Sequence, residues 1–122
     1  MPAKEIIEQF ITRVEENVHD KAIEEFYHTN ASMQENNSEP RVGKANLIAN
    51  EKKILKSVKW MSSKCIRPVF ISDDNVIIRW EFTFIWKDDT TTTIEEIAYQ
   101  NWENNVIIKE KFFYDPIQRI PK

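Results

Sequence analysis

The sequence predicts an α+β domain in which N-terminal helices pack on one face of a strongly curved, mainly antiparallel sheet. Three observations predict it. Apolar residues recur at spacings of three and four through the first half of the chain. After Val58 the period changes to two. The extended stretches that follow are divided by short polar clusters such as Ser72-Asp73-Asp74-Asn75 and Glu103-Asn104-Asn105, which makes them a meander. Helices first and a meander second is the α+β pattern, and a sheet twisted enough to wrap helices leaves a hollow on its concave side.

Ala3 to Val18 reads as an amphipathic helix with Ile7, Phe10, Ile11, Val14 and Val18 on one stripe. Asp20 caps a shorter helix whose inner face holds Ile23, Phe26 and Tyr27, and Thr29-Asn30 ends it. Ala31 to Glu35 is a short strand, and Asn36 to Val42 has loop composition. Gly43, the only glycine, stands where that loop meets a third helix, Lys44 to Val58, and serves backbone geometry there. The inner stripe of the third helix is Leu47, Ile48, Glu51, Ile54, Leu55 and Val58. Trp60 to Ile71 is extended, and Pro68 makes it an edge strand or a bulged one. Val76 to Lys87, Thr91 to Trp102 and Val106 to Asp115 are the remaining strands, and Pro116 ends the last.

The 122 residues make one domain, 1–122, with 41% hydrophobic and 30% charged residues. A net charge of −3 with scattered Lys and Arg argues against nucleic-acid binding. Cys65 is the only cysteine, so no intrachain disulfide forms, and it reads as a small strand residue. One Cys and two His do not make a structural zinc site, and His19 and His28 read as solvated residues near helix ends. No cofactor motif is visible. The charged N-terminus has no apolar signal core and no stretch suits a membrane span, so the cytoplasm is the expected compartment.

The stretch VIIRWEFTFIW, Val76 to Trp86, sets Trp80, Phe82, Phe84 and Trp86 on one face and Arg79, Glu81, Thr83 and Ile85 on the other. On residues alone two arrangements stand. The aromatics form the core and Arg79 and Glu81 a solvated outer face, or the charged pair faces the hollow and the aromatics face a partner. A three-residue Asp88-Asp89 turn with a bulge puts Glu95, Ile97 and Tyr99 on the Arg79 side; a two-residue turn puts Glu96, Ala98 and Gln100 there.

The segments EEFYHTNASMQEN, PRVGKANLIANE and NNVIIKEKFFYDP give the chain a pattern that resembles the nuclear transport factor 2-like superfamily, and within it the SnoaL-like proteins and limonene epoxide hydrolase. The resemblance spans nearly the whole chain. It implies a cone with a blind internal pocket, and a family of isomerases, cyclases, dehydratases, hydrolases and binding modules. The hydrolase branch carries an inward Arg-x-Asp, which Arg79-Trp80-Glu81 matches in spacing; Met33, Glu35 and Phe112 depart from the branch's other positions.

The resemblance therefore implies that Arg79 and Glu81 face inward, with the three-residue turn and Glu95, Ile97 and Tyr99 beside them. Glu110, Phe112 and Tyr114 face in from the last strand, and Phe10, Val14, Tyr27 and Met33 complete the lining. Glu35, with no cation expected beside it, becomes the acid of raised pKa and the general base; Arg79 and Tyr99 polarise the substrate and Glu81 orients Arg79. The outward aromatics Trp80, Phe82, Phe84 and Trp86, with Trp102 and Phe113, then make a homodimer interface. The function this implies is a cofactor-free acid/base enzyme on a small hydrophobic molecule. The alternatives are a non-catalytic binding module and a dimeric scaffold.

Overall fold

The computed structural model describes residues 1–122. Three helices, α1 (Lys4–Glu15), α2 (His19–Phe26) and α3 (Lys44–Leu55), cover one face of an open six-stranded sheet. The strands are β1 (Tyr27–Glu35), β2 (Arg41–Val42), β3 (Val58–Ser72), β4 (Asn75–Trp86), β5 (Thr91–Glu103) and β6 (Val106–Phe113), in the spatial order β2-β1-β6-β5-β4-β3. All neighbours are antiparallel except β1 and β6, which run parallel. A short 3-10 helix, Pro116–Arg119, follows β6.

The helical stripe of α1 buries Ile7, Phe10, Ile11 and Val14 as its spacing dictates. The helix stops short of Val18 because Asn17 takes a left-handed φ of 66°. Asp20 is not the cap of α2; Val18 holds that position and Asp20 lies in the first turn, where its charge suits the helix dipole. Tyr27 to Asn30 belongs to β1 rather than to a helix end, so the strand is longer at its start than ASMQE suggests. Gly43 has φ 97°, a conformation that an L side chain rarely adopts, and its amide donates to the Ala31 carbonyl at 2.8 Å.

β3 is an edge strand, and its pairing with β4 is irregular between Ile66 and Phe70, around Pro68. The β4–β5 connection is the three-residue turn. Trp86 N–H donates to the Thr90 carbonyl, Asp89 N–H to the Trp86 carbonyl, and Asp89 has φ 67° at the bulge position. Arg79 consequently pairs with Ile97 and Glu81 with Glu95, so these four share a face.

That face is the outer one. Val76, Ile78, Trp80 and Phe82 are buried under the helices, with Trp80 only 2% exposed, while Arg79 and Glu81 are exposed. The orientation expected from the Arg-x-Glu spacing is reversed. The reason is in the parity of β4: every even position from Val76 to Trp86 is apolar, and only one sheet face has helices to cover it. Burying one large aromatic removes roughly 150–250 Å² from water, about 4–6 kcal/mol at 25 cal/mol per Å². An exposed ion pair is worth about 0–1 kcal/mol, so the aromatics decide the face.

Candidate active site

A cavity of about 480 Å³ lies between the sheet's inner face and the helices. β4 supplies one wall as a ladder of rings. Trp80 stacks on Phe82 with centroids 5.5 Å apart, and Phe84 on Trp86 at 5.2 Å. The period of two sets these rings one above another along the strand. β5 continues the surface with Thr92, Ile94 and Glu96, and β6 with Glu110 and Phe112. Glu96 pairs directly with Trp80 across the β4–β5 ladder. Met33 and Glu35 come from β1, Phe10 and Val14 from α1, and Glu51 and Ile54 from α3.

Three carboxyl groups face this space with raised pKa values. Glu110 is wholly buried and pinned: it accepts from the Tyr27 hydroxyl and, at 2.6 Å, from Gln100 Nε2. Gln100 Oε1 in turn accepts from Trp102 Nε1 at 3.0 Å, which fixes the amide's orientation. Burial pushes Glu110 up to about 7, against the pull of its two donors. Glu51 also rises to about 7, through burial and the charges of Glu110 and Glu35. Glu96 goes furthest, to about 8, because it is desolvated and faces Glu110, Glu35 and Glu51 with only Arg119 opposing them.

The hydrogen bonding of Glu96 separates it from Glu110. Its side chain is in a residue only 8% exposed and makes no hydrogen bond to the protein. No buried side-chain oxygen or nitrogen is left without a partner, so the Glu96 oxygens open onto the cavity itself. A neutral carboxylic acid in that position can donate a proton, and its carboxylate can take one up, near neutral pH.

Arg119 and His19 are already engaged. Arg119, from the 3-10 helix, donates to Glu35 and, at 2.6 Å, to the Tyr114 hydroxyl. His19 meets Ser63 Oγ at 2.8 Å and packs edge-on against Phe82; burial lowers its pKa to about 4, so it is neutral near pH 7. It is part of the cavity lining rather than a solvated residue. No group of three or more His, Cys, Asp or Glu is arranged to hold a metal ion.

Of the residues singled out from the sequence, Phe10, Val14, Tyr27, Met33, Glu35, Glu110 and Phe112 line the cavity. Arg79, Glu81, Glu95, Ile97 and Tyr99 do not: all five are exposed on the outer face. Arg79 pairs there with Glu95 at 2.5 Å, and Tyr99 donates to Asn75 at 3.2 Å. Tyr114 does not line the cavity; its hydroxyl accepts from Arg119, which does. Glu35 has the cation that was not expected for it, because Arg119 comes from the C-terminal segment beyond the last strand. Trp80, Phe82 and Trp102 are buried beneath the helices and Phe84 and Trp86 line the cavity, so these residues form no outer interface; of that set only Phe113 is exposed on the outer side.

Glu96, Glu51 and Arg119 are the site residues that motif matching passed over. The signal for Glu96 was in the chain. Even-numbered apolar residues on β4, carried through a three-residue turn, put the even residues of β5 inward.

No family model matches the chain, and no curated protein matches it in sequence. Solved structures do match in fold. A protein with a ketosteroid isomerase-like fold from Catenulispora acidiphila, in complex with trimethylamine, superposes with a TM-score of 0.78 at 9% identity, covering 96% of this chain and 90% of that one. An epoxide hydrolase of the limonene epoxide hydrolase type from M. tuberculosis gives 0.76 at 10% identity, covering 94% and 84%. A SnoaL-like protein from Mesorhizobium loti gives 0.74 at 19% identity, covering 90% and 97%. The chain has the nuclear transport factor 2-like fold.

Proposed function

We propose that this protein binds an apolar small molecule in the cavity and acts on it as a cofactor-free acid/base enzyme, with Glu96 as the proton-transferring group. One observation carries the reading: a desolvated carboxyl with no protein partner opens onto an aromatic-walled cavity of about 480 Å³. Its pKa of about 8 lies close to working pH, where a carboxyl group both holds and releases a proton readily. Glu110, fixed by Tyr27 and Gln100, and Glu51 raise Glu96 electrostatically. The Tyr27 hydroxyl is committed to Glu110, so the aromatic ladder supplies binding area and Glu96 supplies the chemistry. The neighbours' names support a small-molecule site: one is a SnoaL-like polyketide cyclase, one an epoxide hydrolase, and one a protein of ketosteroid isomerase-like fold in complex with trimethylamine.

The test is solvent exchange. A panel of cyclic ketones in deuterium oxide is followed by proton NMR with the wild-type protein and with Glu96→Gln. The reading expects exchange at carbon next to the carbonyl above the buffer rate, lost in Glu96→Gln. Ketones that bind without exchange would leave a non-catalytic binding module.

The homodimer is proposed in a different place from the aromatic ladder. Ile97 pairs with Phe113 and Tyr99 with Lys111 across β5 and β6, and the Lys111 ammonium lies 4.9 Å from the Phe113 ring centre. This outer patch is the proposed self-contact, and the cytoplasm the proposed compartment. Sedimentation of wild type and Phe113→Glu tests the contact; a wild-type monomer would exclude it.

A further inference from the structure

Arg41 is the one arginine in the chain that no carboxylate answers. Five arginines are present, and four are in ion pairs: Arg13 with Glu25, Arg67 with Glu8, Arg79 with Glu95 and Arg119 with Glu35. Arg41 makes none, yet it is partly buried and lines the cavity. The sheet sets its direction. Arg41 pairs with Met33, Met33 with Glu110 and Glu110 with Gln100, so these four form one row across β2, β1, β6 and β5. Residues paired across a ladder share a face, and Met33, Glu110 and Gln100 are buried on the inner one. β2 is only two residues long, but its end is tied down. Gly43 N–H donates to the Ala31 carbonyl and Asn46 Nδ2 to the Val42 carbonyl, each at 2.8 Å.

We propose that the ligand's apolar body ends in a carboxylate, and that this carboxylate sits on the Arg41 guanidinium. The proposal rests on the cavity being a small-molecule site and names the class of molecule it takes.

The charges around the cavity suit an anion. Arg41, Lys53 and Arg119 line it, and of these cations Arg119 alone has a carboxylate, Glu35. Glu51 lies near enough for Arg41 to pull its pKa down, but burial and the charges of Glu110 and Glu35 outweigh that pull and hold it at about 7. A guanidinium presents two parallel N–H donors that match the two oxygens of a carboxylate, and such a pair is worth more away from bulk water than on an open surface. The placement also sets a length. Arg41 and Glu96 are three strands apart, about 14 Å across the sheet at roughly 4.8 Å per strand. A ligand held at Arg41 while Glu96 acts on it is therefore elongated, with the anion at one end and the reacting carbon toward the other.

The experiment compares 7-oxo-7-phenylheptanoate with its primary amide, a neutral molecule of nearly the same shape, by calorimetry at pH 7. The expected result is binding of the carboxylate at least about tenfold tighter to wild type, a factor that corresponds to about 1.4 kcal/mol. In Arg41→Met and Arg41→Gln the carboxylate should fall to the affinity of the amide. The amide should bind both variants as it binds wild type, which reports an intact cavity. Equal or tighter binding of the amide to wild type overturns the carboxylate proposal and leaves the small-molecule site standing. A preference for the carboxylate that survives in both variants also overturns it. Binding of neither probe to wild type overturns both.

Discussion

Tyr27, the first residue of β1, donates its hydroxyl proton to Glu110 in the middle of β6, and both are enclosed. The two residues belong to strands that run parallel, with a register shift between Tyr27 and Ser32. The contact joins the start of the sheet's only parallel pair to the acid cluster. It also holds Glu110 in place, whereas Glu96 has no hydrogen-bond partner in the protein.

Tyr27→Phe should therefore destabilise the protein. It leaves Glu110 with Gln100 as its only donor in a buried site. Removing one partner from such a group costs about 1–3 kcal/mol. Urea denaturation at pH 8 measures the change; a midpoint unchanged from wild type would remove this bond from the account.

Stability should fall on the alkaline side, and Glu96 should be a main cause. An unfolded Glu titrates near 4.3, whereas folded Glu96 does so at about 8. The folded state holds the proton more tightly. Its contribution is therefore complete below about pH 4.3 and is lost as pH rises through about 8. Glu51 and Glu110, each at about 7, act in the same direction. His19 acts oppositely: its pKa falls from 6.5 to about 4, so its contribution is lost as pH drops through that interval. Glu96→Gln should be more stable than wild type at pH 9 by more than about 1 kcal/mol, since one pKa unit is worth about 1.4 kcal/mol. At pH 5 the two should be nearly equal. Thermal unfolding across pH 5–9 reads this directly; parallel curves would contradict it.

Arg79→Ala should change little. The pair with Glu95 is about half exposed on both sides, and such a pair contributes about 0–1 kcal/mol. Fluorescence titration of any cavity ligand should give the same affinity as wild type. A large loss of binding would mean that the guanidinium reaches the cavity.

The sequence carried the order of the helices and long strands because it follows from local chemistry. The helical stripes of Ile7, Phe10, Ile11 and Val14, the turn at Asp89 and the break at Pro68 each have a physical cause within a few residues. The absolute face of β4 was legible too, in the uninterrupted apolar run at Val76, Ile78, Trp80, Phe82, Phe84 and Trp86. A two-residue spacing match at Arg79 and Glu81 pointed the other way, and burial of aromatic area outweighs it. The bulge at Ile108 sets Glu110 in phase with Gln100 and Glu96 rather than with Glu95. That shift needs the β6 register, which no local signal announces. The Arg119–Glu35 contact joins residues 84 positions apart and was equally out of reach.

The central claim is that Glu96, which has neither a hydrogen-bond donor nor a cation paired with it, holds its proton near neutral pH. Carbon-13 NMR titration of the Glu side-chain carboxyls, assigned with Glu96→Gln, tests it most directly. The account predicts a Glu96 resonance with its midpoint at about 8. A Glu96 midpoint below pH 5 would contradict it.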